Sequence, residues 1–333
     1  MGRYVLKRLL MLIPIILGIT FIVFFILALT PGDPARMILG QGATPAQVQA
    51  MREQMGLNDP LLIRYVKYMA GVFTGNFGTS WSTREQVFQL VFRRFPYTFQ
   101  LALLSMIVTV LISIPLGIYS AVKQNTPTDS AIMVLSMVLA ATPKFWLGIL
   151  MMLVFSVTLH WLPTSGLVSW KSYIMPTIAM AAASTAIDMR IVRASVLEVI
   201  KQDYIRTARA KGVRENVIFR KHALKNALLP VVTVMGMGFA SALGGSVLIE
   251  NVFSIPGIGL LLIERIRQKD TPTVLACVIF IAVVFAIINL ITDILYSYID
   301  PRIKAQYMRR KEKKTPSILT KEEAHLMKEE AQS

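Results

Sequence analysis

A single cysteine, Cys277, stands among 333 residues, and it sits inside an apolar run. No disulfide framework and no cysteine metal site can form within such a chain. Histidine is nearly as scarce: His160, His222 and His325 fall in three separate regions and cannot converge on one ion, so no metal site is expected. No Gly-x-x-x-x-Gly-Lys-Ser/Thr phosphate loop occurs, so ATP hydrolysis, if it drives the function, belongs to another chain. No His-Glu-x-x-His pair occurs either, which argues against an intramembrane enzyme, and no catalytic residue is assigned. Charge is also short. Charged residues make up 16% of the chain against 54% hydrophobic, and the mean hydropathy of +0.57 is too apolar for a soluble domain. The net charge of +16 would suggest nucleic acid in a soluble protein. Here the Lys and Arg residues gather at the ends of apolar runs and in one insert, where membrane topology accounts for them. No nucleic-acid partner is expected.

What is present is a series of apolar runs. Six stretches, at 9–30, 99–122, 131–159, 174–199, 227–249 and 275–299, predict an all-α integral membrane protein with six transmembrane helices. The first covers Leu9 to Thr30, ~33 Å of helix at ~1.5 Å per residue, enough for a hydrocarbon core of ~30 Å and longer than the apolar part of a cleaved signal peptide. The third carries Pro143, which predicts a kink. The fourth is the least apolar; its Ala and Ser residues suit close helix packing, and Arg193 is expected to snorkel to the surface. With the N-terminus inside, the cytoplasmic pieces hold 23 Lys and Arg and the outer pieces 11, so both termini are expected in the cytoplasm.

These runs divide the chain into a first tail and span (1–30), an outer layer (31–97), a permeating core (98–304) and a charged tail (305–333). The outer stretch reads as folded. Thr44-Pro45 has the pattern of a helix start, Gly56 that of a stop, and a second helical stretch follows near Leu61–Phe73. The tail reads as solvated.

The insert at 201–225 is the most informative segment. Asp203-Tyr204-Ile205-Arg206-Thr207-Ala208-Arg209-Ala210-Lys211-Gly212 leads to His222-Ala223-Leu224-Lys225-Asn226-Ala227-Leu228-Leu229-Pro230. Ala, Arg and Lys favour helix, and Gly212 permits a sharp turn, which predicts a basic helix–turn–helix finger presented to a partner.

At these residues the chain resembles the permease subunits of ABC importers. Their loop runs Glu-Ala-Ala, three residues, Gly, nine residues, Ile-x-Leu-Pro. Arg206-Thr207-Ala208 with Gly212 fits the first half loosely, and the second half departs, with Leu229-Pro230 displaced. That departure is the variant of the dipeptide/oligopeptide/nickel branch. Arg3-Tyr4, Arg8-Leu9-Leu10, Pro31-Gly32-Asp33-Pro34, Leu162-Pro163, Pro256-Gly257-Ile258-Gly259, Asp293-Ile294-Leu295-Tyr296 and Asp300-Pro301-Arg302 agree with its B-type permeases over roughly residues 3–304. The resemblance implies the type I ABC importer permease fold in a prokaryotic inner membrane. It also implies a second, C-type permease, two cytoplasmic subunits binding ATP and Mg, and an external substrate-binding protein, with no cofactor in this chain. It implies ATPase coupling through Asp203, Tyr204, Arg206, Thr207, Ala208, Arg209, Ala210, Lys211, Gly212, His222 and Asn226. Di- or oligopeptides are the implied cargo, with nickel or a metal chelate as the alternative.

Translocation-path candidates rest on intramembrane polarity. Lys144 and Asp188 are costly in hydrocarbon; an ion pair of Lys144 with Asp188 or Asp293 is the favoured reading, with a place on the aqueous route or a simple interface position as the others. In the fifth span Gly236, Ala240 and Gly244 share one face, and Gly238, Ala242 and Ser246 another. Packing or a pore wall follows, with Gly244, Gly245 and Ser246 as candidates. An ion-coupled secondary transporter is the rival class, with Asp188 and Asp293 as its only signals.

Overall fold

The computed structural model describes residues 2–214, 217–218 and 223–299. Among these residues every extended element is helical, apart from one isolated bridge between Thr79 and Gln86. Helix α1 (Gly2–Leu29) runs through Pro14 and shows apolar side chains such as Leu10, Ile15, Ile22 and Ile26 outward, which suits a lipid or partner surface.

The layer expected after the first span is three short helices, α2 (Pro34–Leu39), α3 (Pro45–Gln54) and α4 (Leu61–Phe73). Thr44 and Gln47 form a reciprocal capping box at the start of α3, the device that supplies partners for otherwise orphaned helix N–H groups. Tyr65 ties α4 to α1 by donating its hydroxyl to the Leu17 carbonyl at 2.7 Å. Tyr68 donates to the Pro272 carbonyl at 3.1 Å, and burial pushes its phenol above the ordinary range.

Helix α5 (Val87–Val122) begins well before the expected start at 99. Arg93, Arg94 and Pro96 interrupt the apolar pattern, so the sequence marks a boundary that the structure lacks. Val87, Leu90 and Val91 are buried against Ile258, Leu261, Ala276 and Cys277, and that burial holds the extra turns in place. The kink expected at Pro143 is instead a break. Helix α6 (Pro127–Ala141) and α7 (Lys144–Met151), continued by a π-helical stretch (Met152–Thr158), meet at 99°. Thr142 is extended, φ −78° and ψ 123°, as a residue before proline prefers.

Helix α8 (Ile174–Ile200) makes the broadest helix pair of the fold with α5. Ala179, Ala181 and Ala186 are buried on it, and Gly117 of α5 sits where a Cβ would strike Val192. A short helix α9 (Asp203–Ala210) follows. Helix α10 (Leu224–Gly245) occupies most of the expected fifth span. It gives way to a pair not anticipated from the sequence, α11 (Val247–Phe253) and α12 (Ile258–Arg267), bent at 82°. Helix α13 (Thr271–Ile299) closes the described fold. Helices α1, α5, α10 and α13 are long and apolar enough to cross a membrane, and the bent pairs α6/α7 and α11/α12 qualify if each is one span. Helix α8, the expected fourth span, is 27 residues long but carries Asp188, Arg190, Arg193 and Glu198 and does not qualify by apolarity; it packs against α5, α6 and α10.

Three polar anchors fix this bundle. At the end that carries α2–α4, Glu250 is wholly buried. Its carboxylate accepts from Thr98 Oγ1 at 2.8 Å, Ser246 Oγ at 2.7 Å, and the backbone N–H groups of Gly259 and Leu260 at 2.7 and 3.1 Å. Thr98 Oγ1 in turn accepts from the Ile258 N–H at 2.8 Å. The start of α12 is thereby capped by a side chain from α11 and one from α5. Gly257 lies where a Cβ would overlap both the Glu250 carboxylate and Thr98, which explains Pro256-Gly257-Ile258-Gly259 sterically. Beside it, buried Asp270 accepts from Ser80, Ser82, Thr273 and the Trp81 N–H, while Lys269 donates to the carbonyls of Thr30, Pro31 and Gly32 and so closes the end of α1.

At the opposite end, Arg193 does not snorkel. It makes a bidentate pair with Asp129, Nε to Oδ1 at 2.8 Å and Nη2 to Oδ2 at 2.7 Å. Asp129 is buried and also accepts from Ser120 and from the Asn125 N–H at 3.1 Å. The fork gives two parallel charge-assisted hydrogen bonds, the strong form of an Arg–carboxylate contact.

Substitutions test two of these anchors. Glu250→Ala leaves two buried hydroxyls and two N–H groups without their acceptor and is expected to cost about 4 kcal/mol or more; an unchanged thermal midpoint of the purified permease contradicts the capping role. Arg193→Met alone is expected to cost ~3–5 kcal/mol by stranding Asp129, and Asp129→Asn combined with it should recover part of that loss. Strict additivity of the two in a thermal double-mutant cycle contradicts the pairing.

Candidate functional site

Helix α9 owes its position to one apolar residue. Ile205 is fully buried with Ile218 and Ala223, against Val199, Ile200, Ala208 and Val213. This small core seats α9 on the end of α8, while Tyr204, Arg206, Thr207, Arg209, Ala210 and Lys211 remain exposed. Asp203 stands in the first turn of α9, where its charge suits the helix dipole, and its carbonyl accepts from Thr207 Oγ1 at 2.9 Å. Gly212 follows with φ +74°, a left-handed conformation that glycine adopts without steric cost. The Gly212 N–H donates to Arg209 and the Val213 N–H to Ala208, so the turn folds back onto α9.

Asn226 near the start of α10 donates its amide to Tyr204 Oη at 2.9 Å. Two residues of the sequence motif, 22 positions apart, thus meet and bind α9 to α10. Ser195 of α8 donates to the Ala227 carbonyl at 2.7 Å, which locks α8 to the same point. His222 lies outside the described residues, as do residues 301–333. The described part of the insert is therefore a basic surface on a hydrophobic seat, joined by hydrogen bonds to both helices that flank it. Such a surface can transmit a push along α8 and α10 without absorbing it locally.

The translocation-path candidates separate. Lys144 begins α7 directly after the Pro143 break and is half-buried. Among the described residues it makes no ion pair with Asp188 or Asp293; Asp293 pairs with Arg8 of α1. The ion-pair reading of Lys144 is thus corrected: Asp293 is engaged by Arg8, and Asp188 has no ion pair among the described residues. Asp188 is buried and lines a cavity with Ser105, Thr109, Ser184, Gly238 and Ala242. Gly236 packs on Thr292 and Ala240 is buried, so that face of α10 is a packing face, while Gly238 and Ala242 face the cavity. Gly244 and Gly245 are exposed, and Gly244 borders a broad apolar groove against α1 and α13. Ser246 belongs to the Glu250 anchor and is fully buried. Glu250, Asp129 and Asp270 were not anticipated as anchors. The only sequence signal for Glu250 is an acid at the end of an apolar run, seven residues before Gly257.

Residues 1–102 match the family model described as binding-protein-dependent transport system membrane component, N-terminal, and residues 113–305 that of the binding-protein-dependent transport system inner membrane component. The chain is 43% identical over 304 residues to the glutathione transport system permease protein GsiC of Salmonella paratyphi A, a match covering 91% of this chain and 99% of that protein. It is 39% identical to the dipeptide transport system permease protein DppB of Alkalihalophilus pseudofirmus, covering 91% and 100%. An inward-facing structure of the MetNI methionine ABC transporter shares the fold, with a TM-score of 0.56 at 17% identity over 64% of this chain and 97% of that one. The chain thus shares a known fold, and it belongs to the binding-protein-dependent transport system inner membrane components, the permeases of ABC importers.

Proposed function

We propose that this chain is one of two permeases of an ATP-driven importer for di- and oligopeptides. The observation that carries the reading is the insert. A basic helix is seated on Ile205 and tied to α10 through Tyr204–Asn226, beside the point where Ser195–Ala227 locks α10 to α8, which suits a surface that receives motion from another chain. In this reading α9 and the Gly212 turn dock on a cytoplasmic ATPase, with Tyr204, Arg206, Thr207, Ala208, Arg209, Ala210 and Lys211 at or behind the contact. Asp203 starts the helix, Asn226 supports it from the α10 side, and His222 is a further coupling candidate. ATP and Mg belong to two such ATPases. A C-type permease completes the path, and a binding protein delivers cargo to the end that carries α2–α4. Both termini then lie in the cytoplasm.

The cargo reading rests on relatives whose names specify glutathione and dipeptide transport. Both are short peptides with a free amino group, carboxylates and amide bonds. Alternating access would move them when ATP binding closes the ATPases and draws α9 with them. Lys144, Gly244 and Gly245 remain candidate wall residues of the path.

Gly212→Val tests the docking. Valine at φ +74° is sterically strained, whereas nothing lies within 4 Å of a Cβ built there, so the effect is conformational. The variant is expected to insert in the membrane at normal levels, to lose peptide uptake, and to recruit ATPase that no longer responds to loaded binding protein. Uptake and coupled ATP hydrolysis at wild-type rates in Gly212→Val would remove the insert from the mechanism.

A further inference from the structure

Asp188 stands near the middle of α8, about 21 Å from its first residue at ~1.5 Å per residue. Its side chain is buried, 7% exposed, and among the described residues no cation and no hydrogen-bond donor is placed on it. Two charged neighbours in sequence do not serve: Arg190 points outward and Arg193 is committed to Asp129. An acid held in a bundle core without a partner is costly. It persists where something that visits the site supplies the missing positive charge or proton donor.

The space in front of it has a definite size and chemistry. The cavity lies where α5, α8 and α10 meet and has a volume of about 20 Å³, enough for one water-sized group. Its polar wall is made of hydroxyls, Ser105, Thr109 and Ser184. Of these, Ser105 already donates to the Leu101 carbonyl at 2.8 Å, which leaves its oxygen lone pairs free to accept. The remaining wall includes Phe239, whose ring faces can attract a cation. Among the described residues no Lys, Arg or His lines it. Gly238 stands at the exposed rim, and a Cβ built on it meets nothing within 4 Å, so the cavity has an entrance on that side. A carboxylate, hydroxyl acceptors and an aromatic face around a volume of one heavy atom describe a receptor for –NH₃⁺. They do not describe one for a carboxylate.

We propose that Asp188 and its cavity bind the protonated amino terminus of the peptide cargo during passage. This rests on the peptide reading given above and adds the subsite and its polarity: the amino end enters the cavity, while the side chains and carboxyl end remain outside, in the path beyond Gly238. The cavity then selects for a free amine and leaves the rest of the peptide unread, which suits a permease that handles cargo of varied sequence. A small inorganic cation is the other source of the same positive charge, and the test separates the two.

The experiment uses the complete importer in lipid vesicles and in detergent, as wild type, Asp188→Asn, Asp188→Glu and Gly238→Leu. The readouts are uptake of labelled Ala-Ala, ATP hydrolysis stimulated by loaded binding protein, and direct binding of Ala-Ala amide and its N-acetyl derivative to the complex by saturation-transfer NMR. The expected result is uptake at least about tenfold slower in Asp188→Asn, the scale of a lost hydrogen bond to a charged group. Asp188→Glu should keep uptake within about threefold, and stimulated hydrolysis should persist in both. Wild type should bind Ala-Ala amide and not the N-acetyl form, and Asp188→Asn neither. Gly238→Leu, which fills the entrance and leaves the acid in place, should also lose uptake and amide binding; it decides the matter if Asp188→Asn does not assemble. Wild-type uptake in Asp188→Asn, or equal binding of the acetylated and free forms, overturns the proposal, and the second result points to an inorganic cation or a bound water. A wild-type complex that hydrolyses ATP on demand but imports no dipeptide removes the peptide reading instead.

Discussion

In hydrocarbon a backbone N–H without an acceptor costs several kcal/mol, and the bend between α11 and α12 creates a set of them. Glu250 satisfies Gly259 and Leu260 directly and Ile258 through Thr98. This lets a short re-aimed helix sit among long ones. It also joins three parts of the chain: α5 through Thr98, the end of α10 through Ser246, and α12 through its backbone. The neighbouring Lys269–Asp270 pair then fastens α1 and the Ser80–Ser82 loop to the start of α13. At the end of the molecule that carries the layer, Glu250, Asp270 and Lys269 are each surrounded by fixed partners.

The opposite end is a series of helices joined by polar contacts. Helix α8 emerges from its long contact with α5, is locked to α6 by Arg193–Asp129 and to α10 by Ser195, and then becomes α9. A displacement of α9 therefore reaches α6 through one bidentate pair and α10 through Tyr204–Asn226. At the far end of α6 the chain breaks by 99° at Thr142–Pro143, and Lys144 begins the next helix. The path from the insert to the interior is thus made of stiff helices joined by charged or hydrogen-bonded contacts, with the one sharp break where a small rotation has most leverage.

Much of this was legible in the sequence, and what was not has physical causes. Long apolar runs specify α1, α10 and α13 because a membrane span needs a minimum apolar length. Thr44-Pro45 and Gly212 specify a cap and a turn because few residues satisfy those backbone geometries. The early start of α5 was hidden, since its first turns are held by burial against α12 and α13 and not by a continuous apolar run. The break at Pro143 reads as a kink in sequence because proline alone does not say whether flanking helices stay collinear. Partner choice was hidden throughout. Arg193 and Asp129 are 64 residues apart, and Thr98 and Glu250 are 152 apart, so only the packed bundle brings them together. Lys144 and Asp188 were both legible as costly residues, yet the sequence paired them and the structure separates them.

The proposed function has this permease move cargo by motion received from an ATP-driven partner and not by the discharge of an ion gradient. It is tested most directly by peptide accumulation in vesicles containing the whole importer, with the binding protein on one side and ATP supplied or withheld on the other. The account predicts accumulation of labelled dipeptide that requires ATP on the side of the insert and survives collapse of proton and sodium gradients. Accumulation that proceeds without ATP and disappears when those gradients are collapsed would contradict it.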